Sequence, residues 1–325
     1  MNLRTLGCMV GVVAMMMFPT SATLAKQWPT KPVHIIVGWS AGGATDVIAR
    51  YIAQKLSERL GQQFIVETKP GAGGNIGAEY VARAPADGHT LIFLTSAHAI
   101  NATLYRNLPF DPMISFTPLA MVGNMTQLLV VNPRLPYQSV QELIADAKQN
   151  PGKLKFASAG SGSSSHLAVE QLSAKAGIEV LHVPYKGTSQ YISDLVSGRV
   201  DFAIDSATAL LPLTRSKELR ALAVSSYERS STLPEIPTIA ESGVPGYGVN
   251  LWFGYLGPAG MAPSLVDTIN REIRDTVSEQ SVVDKLKGFG LTVSADFSPS
   301  QFRELLSDDI GKYAAIIQAS GAGVE

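Results

Sequence analysis

Cysteine is nearly missing from this chain. Its 325 residues hold one, Cys8, and that one lies in an N-terminal stretch that reads as a leader. Downstream there is no thiol, which excludes disulfides, thiolate catalysis and cysteine-based metal sites there. The five histidines (34, 89, 98, 166 and 182) form no i, i+4 pair and no H-E-x-x-H, so no metal-binding pattern exists. Basic runs are lacking as well. Lys and Arg number 26 against 27 Asp and Glu, which argues against a nucleic-acid partner. The phosphate loop G-x-x-x-x-G-K-[ST] does not occur. Gly71 to Gly77 spells G-x-G-G-x-x-G, with Ile76 where the third glycine of a dinucleotide loop belongs, and Gly160-Ser161-Gly162 also lacks one. Gly38-Trp39-Ser40-Ala41-Gly42 matches the G-x-S-x-G spacing, but no other catalytic pattern accompanies it. An enzyme is therefore not expected, nor is a cofactor or a metal.

The leader itself is informative. Arg4 gives a positive start, Leu6 to Phe18 is apolar, and Thr23-Leu24-Ala25 supplies small residues at −3 and −1. This is the pattern of a secretory signal peptide cleaved after Ala25. Its apolar run falls short of the roughly 20 residues of a spanning helix, and no later segment reaches that length. Removing the leader takes away Arg4 and leaves a formal charge of −2. The remaining chain of about 300 residues has room for two domains.

Strand and helix patterns alternate. Val33-His34-Ile35-Ile36-Val37 is a short apolar run with β-branched residues and reads as a buried strand. Gly38-Trp39-Ser40-Ala41-Gly42-Gly43-Ala44 is a small-residue turn. From Thr45 the spacing becomes helical, with Ile48, Ile52, Leu56 and Leu60 on one face and Gly61 as the stop. Leu154 to Ala157, then Ser158 to His166, then a helix carrying Leu167 and Leu172 to Gly177, repeat that plan. Ser139 with Glu142 and Ser298 with Gln301 mark two further helix starts by capping-box spacing. The second glycine-rich loop, 70–77, precedes a short helix from about Ala78, and Ser96-Ala97-His98 reads as a turn after the strand Leu91–Thr95. The fold class is α/β, with two domains and a mostly parallel sheet in each. The segments are 26–127 for the first part of domain 1, 128–248 for domain 2 and 249–325 for the rest of domain 1, after a leader at 1–25. Leu119 to Val122 and Gln127 to Val131 read as strands in the region of the first crossover, and the Pro/Gly-rich stretch 233–248 as the return crossover.

In such sheets ligands bind at the carboxyl ends of strands. Two small-residue turns leave strand ends and feed helix N-termini, where free N–H groups and the helix dipole favour a carboxylate. Asp46, in the first helical turn, has two readings: dipole stabilisation or ligand contact. Asp205, ending the strand Asp201 to Ile204, reads either as a cap of the next helix or as a cleft residue. Trp39 is either core or an aromatic cleft wall. His98 and His166 fall in cleft loops as supporting residues, while His34 and His182 read as strand residues. The rival from another class is an exported hydrolase using Ser164 or Ser165.

Several motifs then resemble one family. They are Trp28-Pro29-Thr30-Lys31-Pro32-Val33, Ala41-Gly42-Gly43-Ala44-Thr45-Asp46 and Glu67-Thr68-Lys69-Pro70-Gly71-Ala72-Gly73-Gly74-Asn75-Ile76-Gly77, followed by Pro85 to Leu91, Pro151 to Leu154, His182 to Gly187, Leu219 to Val224 and Leu233 to Thr238. This ordered set is similar to the Bug receptors, the substrate-binding proteins of tripartite tricarboxylate transporters. The resemblance implies a periplasmic, monomeric binding protein that closes like a flytrap around a small organic acid and serves the membrane subunits of such a transporter. A ligand sensor signalling to a membrane receptor would keep the same fold. By position, the resemblance implicates Ser40, Ala41, Gly42, Gly43, Ala44, Thr45, Asp46, Ser96 and Ala97 on one side. Ser158, Ala159, Gly160, Ser161, Ser164, Ser165 and Asp205 are implicated on the other. Where the family commonly has Pro-Phe-Pro, this chain has Gly38-Trp39-Ser40. That change points to an aromatic or flat acid and adds Trp39 to the candidate site.

Overall fold

A computed structural model describes residues 28–230, 233–249 and 251–320. The leader and its cleavage after Ala25 lie outside the described residues.

The first lobe starts with β1 (Val33–Val37), α1 (Ala44–Leu60), β2 (Phe64–Thr68), α2 (Asn75–Ala82), β3 (Thr90–Thr95), α3 (Ala97–Leu104) and β4 (Phe116–Met125). The chain then passes into a second sheet through β5 (Gln127–Val131). It continues as α4 (Val140–Gln149), β6 (Lys155–Ser158), α5 (Ser164–Ala176), β7 (Leu181–Pro184), α6 (Thr188–Ser197), β8 (Phe202–Ser206), α7 (Ala207–Arg215) and β9 (Arg220–Val224). It returns to the first sheet with β10 (Leu251–Pro258) and ends in α8 (Pro263–Val277), α9 (Gln280–Gly288), β11 (Leu291–Val293) and α10 (Pro299–Ser320).

Six strands form the first sheet, in the order β11-β4-β10-β3-β1-β2, and five form the second, β7-β6-β8-β5-β9. The ladders joining β1 to β2 and β3, and β6 to β7 and β8, are parallel. The crossover strands run against their neighbours: β10 against β3 and β4, and β5 against β8 and β9. Each sheet is therefore mixed. A strand arriving from the other lobe has no helix to turn it round before it pairs, so it enters antiparallel.

Period-two alternation decides which residues face which helices. In β1, Val33, Ile35 and Val37 join α1 and α8 in one core, while Ile36 faces α3 and α10 in another. In β5, Leu129 and Val131 meet α4 and α5, whereas Leu128 and Val130 meet α6 and α7. Helices on both faces bury the strands completely, which is why these runs are continuously apolar.

Local differences from the sequence pattern have physical causes. Helix α2 begins at Asn75, inside the stretch that reads as loop. The turn is finished by Gly73 and Gly74, and Gly77 is helical. A Cβ on Gly77 would stand 3.2 Å from the Gly38 Cα, so this glycine serves close packing rather than bending. Ser96-Ala97-His98 opens α3 instead of a bare turn. The helix is held by its contact with α10, and Ile100 and Leu104 enter the core. Helix α9 and strand β11 were not foreseen; Val282 and Leu286, four apart, form the buried face of α9.

Candidate functional site

Residues from the two lobes line one cavity. The first lobe gives Trp39, Ser40, Gly43, Ala44, Thr45 and Thr95, with Leu251 from the returning strand; the second gives Ala159, Ser163, Ser164, Ser165, Thr188, Asp205 and Ser206. Most of these lie at the starts of α1, α5, α6 and α7, while Trp39 follows β1, Thr95 ends β3 and Leu251 opens β10. No lysine, arginine or histidine is among the lining residues described. The space is small, about 30 Å³, because the lobes are closed on each other. Ser40 Oγ donates to the Lys186 carbonyl at 2.8 Å, Ser189 Oγ to the Ala41 carbonyl at 3.0 Å, and the Tyr105 hydroxyl to the Ser161 carbonyl at 3.0 Å.

The turn before α1 is sparsely bonded. Gly43 is the cap residue and offers no side chain, so no side-chain cap exists there. The Gly42 N–H goes to Asp46 Oδ2 at 2.9 Å, and the Gly43 N–H reaches only the Ser40 carbonyl at 3.4 Å. The amides of Ala44, Thr45 and Asp46 head the helix, where no intrahelical acceptor is available. Asp46 lies behind the turn: its other oxygen pairs with Arg50 at 2.8 Å.

The turn before α5 is wired internally. The Ala159 N–H donates to Ser165 Oγ at 2.9 Å, the Gly160 N–H to Ser158 Oγ at 3.0 Å and the Gly162 N–H to His166 Nδ1 at 3.4 Å. Ser163 caps the helix by accepting from the His166 N–H at 3.2 Å. The amides left to meet an anion are those of Ser164 and Ser165. Behind the turn, Ser158 Oγ meets His182 Nε2 at 2.6 Å, and the His182 ring stacks against those of Phe156 and His166. Burial, then the neighbouring His166, pushes His182 down to about 4, against a weaker pull upward from Glu170. This is a side-chain hydrogen bond between a serine and a histidine, and Ser158 is fully buried. Ser164 and Ser165 bond to no histidine.

Asp205 lies in the cavity wall with both oxygens occupied. Oδ2 accepts from Thr188 Oγ1 at 2.9 Å and the Tyr191 hydroxyl at 2.7 Å, and Oδ1 from the Ser206 N–H at 2.7 Å. Burial raises its carboxyl above the usual range, while these hydrogen bonds pull the other way.

Of the residues implicated in sequence, the cavity brings together Trp39, Ser40, Gly43, Ala44, Thr45, Ala159, Ser164, Ser165 and Asp205. Ala41, Gly42 and Asp46 lie at the turn without lining it. Ser96 and Ala97 start α3, Ala97 beside a second chamber. Ser158 is sealed behind the second turn, and Gly160 and Ser161 line an outer groove between the lobes. Thr95, Ser163, Thr188, Ser206 and Leu251 were not foreseen. Ser163 carries a signal, a serine directly before a helical pattern. Thr188 follows Gly187 at another helix start, and the remaining three depend on tertiary placement.

The comparisons agree with this geometry. The model of the tripartite tricarboxylate transporter family receptor matches residues 48–322. Protein BugT of Bordetella pertussis (strain Tohama I) is 34% identical over 324 residues, covering 99% of this chain and 99% of its own. The structure of R. palustris Rpa4515 with adipate superposes with a TM-score of 0.88 at 37% identity, over 91% of this chain and all of that one. MatC (Rpa3494) from Rhodopseudomonas palustris with bound malate gives 0.85 at 29% identity, over 89% of this chain and all of that one. Two α/β lobes, a cleft walled by helix starts and a match across most of its length place this chain in the tripartite tricarboxylate transporter receptor family, a family of solute-binding receptors.

Proposed function

We propose that this chain is a periplasmic receptor that captures a small organic acid and presents it to the membrane subunits of a tripartite tricarboxylate-type transporter. One observation carries the reading: a shared cavity walled by helix starts from both lobes, with no cationic side chain in it. An acid group there is held by main-chain amides and hydroxyls. Helix-end contacts contribute about 0.3–1 kcal/mol each when exposed and up to about 2 when partly buried. Charge-assisted N–H bonds add about 1.5–3 kcal/mol each. A few of each reach the roughly −8 kcal/mol of micromolar binding.

The lobes, 26–127 with 249–325 and 128–248, move as bodies about the paired crossovers, opening to admit the acid and closing on it. The chain acts as a monomer after cleavage at Ala25. Carboxylates bound by two relatives, adipate and malate, make aliphatic acids the first probes. Trp39 in the wall keeps an aromatic acid in the panel. Isothermal titration with adipate, malate, succinate and benzoate is expected to give saturable binding of at least one, with compaction of the protein in small-angle X-ray scattering. No binding of any of them up to about 1 mM, the limit of roughly −4 kcal/mol, removes the reading.

A further inference from the structure

A second chamber of about 20 Å³ lies behind Trp39 in the first lobe. Trp39 and Thr95 line both it and the acid cavity, so the two spaces adjoin. Its walls include the apolar Ile92 and Leu94 and two carboxamides, Asn75 (6% exposed) and Asn101 (2% exposed). Asn101 Nδ2 is committed, donating to the Gly73 carbonyl at 2.9 Å and to Asn75 Oδ1 at 3.0 Å. Asn75 Nδ2 and Asn101 Oδ1 are left buried without a hydrogen-bond partner. One is a donor and the other an acceptor.

Unpaired buried amide atoms are costly, and two on residues that line one chamber call for an occupant. The occupant must accept one hydrogen bond and donate another. It must be about the size of a water molecule, since the chamber holds little more than one. It must also be uncharged. No lysine or arginine is among the residues lining the chamber. The one titratable neighbour, His98, donates from Nε2 to the Pro112 carbonyl at 2.9 Å and is kept neutral by burial. A second carboxylate would be desolvated there without a counter-charge. A hydroxyl meets all three conditions. A keto oxygen only accepts, and a methylene does neither.

We propose that Asn75 and Asn101 form a hydroxyl-reading subsite, and that the preferred ligands are hydroxy acids whose hydroxyl accepts from Asn75 Nδ2 and donates to Asn101 Oδ1. This rests on the acid-binding function above and adds the class of acid.

Matched acids test it by calorimetry: butanoate against 2- and 3-hydroxybutanoate, and succinate against malate. In the wild-type protein at least one hydroxy acid is expected to bind about tenfold or more tightly than its parent. Asn75→Ala, checked for folding by its melting curve, is expected to shrink that preference to within about threefold while leaving the parent acid's affinity within about threefold of wild type. If that variant does not fold, Asn75→Ser, a favourable helix-start residue too short to reach the chamber, takes its place. Parent and hydroxy acids binding alike in wild type, or a preference surviving both variants, overturns the subsite but leaves acid binding intact. Such results mean that the chamber holds only a resident water. Failure of every acid to bind wild type removes both readings.

Discussion

The two turns that meet at the cavity are finished in opposite ways. Before α1, Gly43 offers no cap and the turn has few bonds of its own. Before α5, Ser158, Ser163, Ser165 and His166 absorb most of the local amides. The same strand–turn–helix plan thus yields two instruments. The second turn is rigid before any ligand arrives but has little donor capacity to spare. The first has amides at Ala44 and Thr45 with nothing else to do, and an anion is their natural acceptor. Resemblance between the turns in sequence therefore conceals a difference in free donors, and under the proposed function the first lobe is expected to supply the stronger half of the clamp.

Proline at the first helical position tests that division most sharply. It deletes one N–H and is tolerated there. The preceding residues already have the extended backbone that proline demands, Gly43 at φ −76°, ψ 169° and Ser163 at φ −74°, ψ 157°. Ala44→Pro is expected to cost about 1.5–3 kcal/mol in acid binding, roughly tenfold to a hundredfold in Kd. Ser164→Pro is expected to cost less, since Ser165 and nearby hydroxyls remain. Equal losses would erase the asymmetry, and wild-type affinity in both variants would remove the amide clamp.

A smaller effect is expected where the lobes touch. Gly162, in the second turn at φ 81°, faces Asn101 and Tyr105 of the first lobe, and a Cβ there would run into Asn101 Oδ1 and stand 2.9 Å from the Tyr105 ring. Gly162→Ala is expected to hold the lobes apart, which small-angle scattering reads as a larger radius of gyration. Apparent affinity then falls in proportion to the closed fraction, about fivefold if one molecule in five can close. Tyr105→Phe removes only the bond to the Ser161 carbonyl, and at the lower end of the roughly 0.5–1.5 kcal/mol range of such bonds it is expected to cost about twofold to threefold. A stronger effect from Tyr105→Phe would mean that closure is held by this latch and not by the fit of the two turns.

Much of this was legible before folding was considered. The β1–turn–α1 unit shows its strand, its glycines and its helical stripe, and Ser139 does cap α4 by accepting from the Glu142 N–H. What could not be read depends on partners distant in sequence. Helix α3 exists because α10 covers it, and the antiparallel entry of β5 and β10 follows from the crossovers. The sequence marks Ser158 to His166 as a small-residue turn before a helix, but only the fold reveals that the Ser158, Ser163 and Ser165 hydroxyls accept from its own amides. Nothing in the sequence singles out Asn75 and Asn101 until the fold buries them side by side.

The smallest expected effect contrasts one histidine in each lobe. His98 is pushed down to about 4 by burial, against the upward pull of its bond to the Pro112 carbonyl and of Asp111. His182 is pushed down to about 4 by burial and His166, against Glu170. Both are neutral in the folded protein, whereas an unfolded histidine titrates near 6.5. Between about pH 6.5 and 4 the unfolded chain therefore binds protons that the native one refuses, and stability falls as pH falls. Asp205 has the opposite sign, because burial raises its carboxyl and lets the native state take a proton more readily than the unfolded chain does. The melting temperature is expected to drop on acidification by about 2–4 °C for each kcal/mol lost. His98→Phe, beside Phe110 and Phe116, and His182→Phe, beside Phe156, are each expected to flatten part of that slope. The two differ in what else they disturb. His182 holds Ser158, which in turn accepts from the Gly160 N–H, so His182→Phe is expected to weaken acid binding at pH 7 as well. His98→Phe leaves both turns bonded as before, and equal losses of acid affinity in the two variants would show that the second turn does not depend on its own network.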